Sequence, residues 1–369
     1  MASYSRRISV ASWGAALLTL AACGSAKSVE PGADAAADAA DDADAAVADT
    51  AADVVADIAA NPTADAAADV ALDVLDAAAD VVQADSALDV LSPAFGTWNE
   101  LPSESTNTLA GIWGSGAKDI WAVGEQGAIL HSEGTTWHAT QSPTFQWLQA
   151  VWGSGAADVW AVGSSGTVVH YDGKAWSKVD VGITDGLYAV AGSGPDDVWA
   201  VGDAGLVLHK NASGWKTVKV PTTAFLYSVW AFASDDVWIG GGEGTVLHFD
   251  GQTWTPTSTG ATGTIEGLWG LAPHDVWAAG NYGALLHWDG KLWTQAANID
   301  AKSYLFRVYG TAANDLWASG NWGALWHFDG ATWSKYAIAT DEQLRSLWGA
   351  AKGDVWLVGP SKKLFHYTP

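Results

Sequence analysis

DVWAVGSSGTVVHYDGKAW, residues 158–176, is the stretch that decides the fold. It sets an aspartate, a histidine and two tryptophans between paired glycines, and an Asp and a His so close together invite a catalytic reading. Its apolar pattern reads instead as short strands. Val159–Val162 is one strand, Gly163-Ser-Ser-Gly166 turns the chain, and Thr167–Tyr171 is the next. Asp172-Gly173 is a tight-hairpin signal leading into a third strand around Trp176. Upstream, Leu148–Trp152 forms the first strand of the set, and Gly153-Ser-Gly155 makes its turn. Both faces of the middle strands are apolar, as expected of a sheet held between two neighbours.

The same unit recurs with a period of 39 residues. Asp-x-Trp occurs at Asp119, Asp158, Asp197, Asp236, Asp275, Asp315 and Asp354, in steps of 39 with a single step of 40. Histidine follows in register at His131, His170, His209, His248, His287, His327 and His366. An aromatic column precedes the tripeptide at Trp113, Trp152, Trp230, Trp269, Tyr309 and Trp348, broken only by Ala191. The one extra residue falls between Trp293 and Leu305, where a loop is expected. Four antiparallel strands (A to D) repeated radially make an all-β, seven-bladed β-propeller.

The last column predicts how the ring closes. Strand-D tryptophans follow the histidines at Trp137, Trp176, Trp215, Trp254, Trp293 and Trp333, but only three residues follow His366. The seventh blade therefore lacks a strand D of its own. Trp98 lies 39 residues before Trp137. The segment around it is expected to pair beside residues 364–367 and complete the last blade. A linear solenoid would need polar caps instead.

These units resemble the BNR/Asp-box-like repeats of bacterial β-propeller lipoproteins, with their DVWAVG…GTxxHxDGxxW pattern. They are more distantly similar to photosystem II assembly-factor propellers and tectonin-type lectin propellers. The resemblance covers residues 94–369. It specifies fold strongly and function weakly, and Asp172-Gly173-Lys-Ala-Trp176 lacks the spacer a true Asp-box has between Asp and Gly.

The formal charge of −24 is unevenly spread. Residues 1–27 carry +3, residues 28–93 carry −16 and residues 94–369 carry −11. Such a surface repels phosphate backbones and argues against nucleic-acid binding. Arg6 and Arg7 followed by a short apolar run fit a secretory signal over residues 1–22; the run is too short to span a bilayer. Arg6-Arg7 is only a fragment of a twin-arginine signal, because Ser9 stands where that motif has a bulky apolar residue. Leu20-Ala21-Ala22-Cys23 resembles a lipoprotein lipobox, which implies cleavage before Cys23 and acylation there, with residues 23–27 as the lipidated N-terminus. Cys23 is the only cysteine, so no disulfide can form. Gly24 after it suggests the outer membrane, so the expected contact with a membrane is the acyl anchor alone. Residues 28–93 are mostly Ala, Asp and Val without an aromatic, and read as a disordered acidic tether. That tract lacks the fixed ligand spacing and turn glycine of an ordered calcium loop.

Seven equivalent Asp/His pairs argue for scaffold, since an active site needs one asymmetric constellation. Each Asp is expected to cap the turn into strand B by accepting backbone N–H bonds, and each His to satisfy a buried polar group, with the Trp indole or the Asp as partner. One imidazole per blade keeps the histidines too far apart for a zinc site. No metal or other cofactor is expected. Glycosidase chemistry on propellers of this kind resembles that of sialidases, which place three arginines on the substrate carboxylate. Only Arg307 and Arg345 lie beyond the signal segment, and no non-periodic carboxylate pair stands out. The expected role is non-covalent binding of a glycan or an envelope protein by a monomeric propeller, with an assembly scaffold as the alternative.

Departures from the repeat point to where that ligand sits. The B–C turns read Glu125-Gln126, Ser164-Ser165, Asp203-Ala204 and Gly242-Glu243, then Asn281-Tyr282 and Asn321-Trp322. Nothing in the architecture asks for a large aromatic at a turn tip, so Asn281, Tyr282, Asn321 and Trp322 are ligand candidates. Arg307 replaces a small residue in strand A of blade 6, and Arg345 begins strand A of blade 7; both are expected near the axial opening on the same face. Phe145, Trp147, Phe225 and Tyr304 in the D–A loops are further candidates.

Overall fold

The computed structural model describes residues 96–368 except Thr135, Asn298 and Lys362. The signal segment, Cys23 and the acidic tether lie outside the described residues. Among the described residues no helix is long and apolar enough to cross a membrane.

Seven four-stranded antiparallel sheets make the propeller, so the period of 39 corresponds to one blade. In blade 2 the strands are Leu148–Gly155, Asp158–Gly163, Thr167–Tyr171 and Trp176–Val179, from the axis outward. Gly153-Ser-Gly155 is not the turn that the sequence predicts. Strand A runs through it to pair Gly155 with Asp158, shifting register between Gly153 and Gly155, and the chain reverses at Ala156-Ala157. The bulge does not depend on glycine, since blade 4 makes the same shift between Ala231 and Ala233.

The aromatic column and the strand-A glycines fit one another from blade to blade. A Cβ on Gly153 would lie 2.6 Å from the Trp113 ring, one on Gly192 2.8 Å from Trp152, and one on Gly114 2.7 Å from Trp348. Each indole therefore lies on bare backbone of the next blade. Blade 3, with Ala191 in place of the aromatic, is followed by Ala231 in place of the glycine. The fully buried Trp121, Trp199, Trp238, Trp317 and Trp356 fill the spaces between blades further out.

Blade 7 takes its strand D from the N-terminal side of the propeller. Thr97–Glu100 pairs antiparallel with Leu364–Thr368, in the register Trp98↔Tyr367. Trp98 meets Trp317 edge-on at 5.3 Å and Tyr367 at 5.4 Å. On the other side of the junction Leu109 and Ile112 share a core with Trp348, Trp356 and Val358 of blade 7. The ring is closed.

Candidate ligand-binding face

The Asp/His pairs come first because the sequence brings them forward. In every blade the histidine Nε2 lies 2.6–2.8 Å from an oxygen of its aspartate. The imidazole packs on the Trp of the Asp-x-Trp tripeptide, with centroids 3.8–4.3 Å apart. Ser115, Ser154, Ser193 and Thr311 donate to the other aspartate oxygen in blades 1, 2, 3 and 6. In five blades the tryptophan indole N–H donates as well.

The aspartates thus receive side chains, where backbone N–H bonds are expected. The reason is register: His170 pairs with Trp160, so Asp158, two residues earlier at the start of strand B, lies diagonally beside His170 on the same face. Burial pushes the Asp197 carboxyl up, but bonds from His209, Ser193 and Trp199 outweigh it and leave it below the ordinary aspartate value. Asp315 behaves likewise, with His327, Thr311 and Trp317 opposing burial. The network lies toward the A–B turns, away from the B–C turns. No cluster of three His, Cys, Asp or Glu side chains suited to a metal occurs among the described residues.

The opposite rim carries the B–C turns and D–A loops, locked together by backbone bonds. The first turn residue donates to the residue that precedes strand A of its own blade: Asn281 N–H to Thr264 O at 3.0 Å, Asn321 N–H to Tyr304 O at 2.9 Å. The turn glycine donates forward to the next D–A loop, Gly283 to Ser303 O at 2.7 Å and Gly323 to Glu342 O at 2.8 Å. Between these anchors the second turn residue is left-handed in all seven blades, with φ of 61° at Tyr282 and 54° at Trp322. That conformation costs a non-glycine residue on the order of 1–2 kcal/mol. The scaffold imposes the backbone and leaves the side chain free to vary.

Blades 5 and 6 use that freedom for aromatics. Tyr282 is 60% and Trp322 69% exposed. Tyr304 stands between them, because its loop is bonded to both turns. Its ring lies 5.5 Å from Tyr282 at 60° and 6.0 Å from Trp322 at 87°. Partial desolvation and the neighbouring Tyr282 raise the Tyr304 phenol above its ordinary pKa. Asn281 and Asn321 are fixed by backbone bonds at the base of this triad.

Toward the axis a second group gathers. The residue after the leading Leu or Ile of each strand A surrounds the channel mouth: Gln149, Tyr188, Tyr227, Glu266, Phe306 and Arg345, with Ala110 in blade 1. They line a recess of about 230 Å³ together with Arg307. Sequence reasoning placed the two arginines here and missed the rest. The signal was an unrepetitive column set directly against a repetitive one.

Tyr188 donates to Asp203 Oδ1 at 2.5 Å and stacks on Tyr227 at 5.1 Å. Burial and the Asp203 carboxylate push its phenol far up. Arg307 Nη1 donates to Glu266 O at 2.6 Å and Phe306 O at 2.9 Å. Burial lowers the Arg307 pKa, Glu266 opposes this, and Arg345 lowers it further. Burial also raises the Glu266 carboxyl, against the pull of Arg307. Arg345 lies over the Trp147 ring at 5.5 Å, across the gap left by Ala110. It sits one residue before the observed strand A of blade 7, Ser346–Ala351, and its N–H already joins the ladder through Val358 O at 2.8 Å. Phe225 and Phe145 complete the exposed aromatics of this rim, at 48% and 92%.

No family profile and no curated protein matches the chain. Solved β-propellers do match it in structure. YCF48 bound to D1 peptide aligns with a TM-score of 0.62 at 17% identity, covering 74% of this chain and 97% of that one. YCF48 from Cyanidioschyzon merolae aligns at 0.61 and 17%, covering 74% and 99%. The WD40 repeats of RRP9 align at 0.62 and 9%, covering 74% and 97%. Likeness at these identities shows the β-propeller fold.

Proposed function

We propose that this protein is an exported, membrane-anchored binding protein whose propeller holds an extended polypeptide, without chemical turnover, on the face of its D–A loops and B–C turns. One observation carries the reading: on a scaffold that repeats every 39 residues, the exposed aromatics that break the repeat, Phe145, Phe225, Tyr282 and Trp322, all lie on one rim. A rigid ring with variable loops is how such a fold takes on a specific ligand. The Tyr282, Tyr304 and Trp322 rings are tilted against one another, Tyr304 standing at 60° to Tyr282 and 87° to Trp322. That shape favours an extended chain with side chains to seat over the flat face of a sugar, which one planar ring serves best. Aromatic rings with asparagines beside them supply low-entropy contact area and hydrogen bonds. YCF48, a propeller of similar fold, is described bound to a peptide, which agrees with a polypeptide ligand.

The anchor in this reading is the acylated Cys23, with residues 28–93 as the tether and the bacterial outer membrane as the site. The described chain begins at Gly96 beside Tyr367, on the rim opposite the Tyr282/Trp322 triad. Peptide and glycan arrays probed with the wild-type chain and with a Tyr282→Ser/Trp322→Ser variant test the reading. Peptide signals that vanish in the variant support it. Glycan signals alone, or peptide signals the variant keeps, would refute it.

A further inference from the structure

The axial recess differs chemically from the aromatic triad beside it. Arg307 occupies a column that is small in the other six blades: Gly111, Ala150, Ala189, Ser228, Gly267 and Ser346. Space explains the small residues. A Cβ on Gly267 would lie 2.8 Å from the Arg307 Cα and from Phe306 O, and one on Gly111 3.0 Å from the Ala150 Cα. A long side chain in that column can only extend into the channel, and Arg307 does.

A guanidinium has five N–H donors. Arg307 uses Nη1 on two backbone carbonyls. Arg345 keeps a buried Nε without a hydrogen-bond partner, its charge lying on Trp147. Among the described residues every ion pair is made by a histidine, by Lys210 or by Lys363, and none by an arginine. Two guanidinium groups with unused donors thus line one recess of about 230 Å³ in a propeller of net charge −11. Behind it the channel holds a space of about 120 Å³ whose lining is mostly apolar and includes Ile112, Val151, Val190, Val229 and Leu268.

We infer that the axial recess is a carboxylate-binding site, in which Arg307 and Arg345 hold the carboxylate of a ligand whose apolar substituent enters the channel. Arginine's planar fork suits carboxylate oxygens. A buried donor without a partner is costly, and the incoming oxygens relieve that cost. The apolar lining favours an aliphatic or aromatic substituent over a hydroxylated sugar acid. Tyr188 and Tyr227 form the wall on the side away from the arginines. This inference rests on the loop face being the ligand face, but it uses none of the three aromatic-triad residues.

The test is a ligand-observed NMR titration of the intact chain with N-acetyl-leucine, N-acetyl-leucinamide and glucuronate. N-acetyl-leucine is expected to bind at least about tenfold more tightly than the amide, since charge-assisted bonds are the strong ones. Arg345→Gln should abolish that difference and Arg345→Lys retain part of it, with unchanged thermal melts showing that both fold. Glu266→Gln, which removes the negative charge beside Arg307, should tighten binding. The Tyr282→Ser/Trp322→Ser variant should bind N-acetyl-leucine as the wild type does, so failure of the triad and failure of this site are separable. Equal binding of acid and amide, binding of glucuronate alone, no binding of N-acetyl-leucine, or an unchanged affinity in folded Arg345→Gln would overturn the assignment.

Discussion

Replacing one aspartate of the repeated network should cost stability in proportion to its burial, and blades 5 and 6 give the sharpest contrast. Asp315 and His327 side chains are 3% and 8% exposed, whereas Asp275 and His287 are 27% and 32% exposed. Asp315 accepts from His327, Thr311 and Trp317, so Asp315→Ala removes the acceptor of three donors, two of them on the buried His327 and Trp317. Unpaired buried donors cost about 1–3 kcal/mol each, and breaking a buried ionic pair costs about 3–5 kcal/mol in all. Asp275 accepts only from His287 and Trp277, and the Asp275 and His287 side chains are open to water. Its loss should cost about 1 kcal/mol. With a urea m-value of about 3 kcal/mol/M, the midpoint should fall by about 1.3 M for Asp315→Ala and about 0.3 M for Asp275→Ala. Circular dichroism during urea titration reads both. Equal shifts, or a larger one for Asp275→Ala, would refute the claim that these pairs act through burial and hydrogen bonding.

Further outcomes follow from closure, charge and the anchor. Trp98→Ala removes the indole that meets Trp317 and Tyr367, and should cost about 3 kcal/mol in the same titration; a cost near zero would mean that the N-terminal strand does not close the ring. Asp197 and Asp315 have depressed folded pKa values, so their contribution is fully present above about pH 4 and lost as the pH falls through those lower values. Thermal melts should fall as the pH drops below about 4; melting temperatures that hold level there would contradict a stabilising role for these carboxylates. Cys23→Ser should move the protein from the detergent phase to the aqueous phase in Triton X-114 partition; a variant still in detergent would contradict acylation at Cys23.

Much of the fold was legible because a propeller writes each blade in the same words. The 39-residue period, the missing seventh strand-D tryptophan and the matching Trp98 were enough to count the blades and close the ring. Gly153-Ser-Gly155 misled because a glycine pair that admits a bulge has the composition of a turn. The aspartate's partners were half legible. Asp158 and His170 are twelve residues apart, but their meeting on one face of the sheet depends on strand register, which composition does not state. The candidate face was visible where an aromatic interrupts a column of small or polar residues, as at Tyr282 and Trp322. The channel mouth was not, because Gln149, Tyr188 and Glu266 share no residue type. What unites them is a place in strand A, and only the closed ring brings those places together.

The central claim is that the repeated residues build and the exceptions bind. It is tested most directly by measuring, for the tightest peptide from the arrays, the Kd and melting temperature of Tyr282→Ser/Trp322→Ser and of Asp275→Asn. The turn variant should lose at least about 30-fold in affinity, the scale of an interface hot spot, with its melting temperature unchanged. Asp275→Asn should melt lower and bind as the wild type does. Lost binding in a stable Asp275→Asn protein, with full binding in the turn variant, would contradict it.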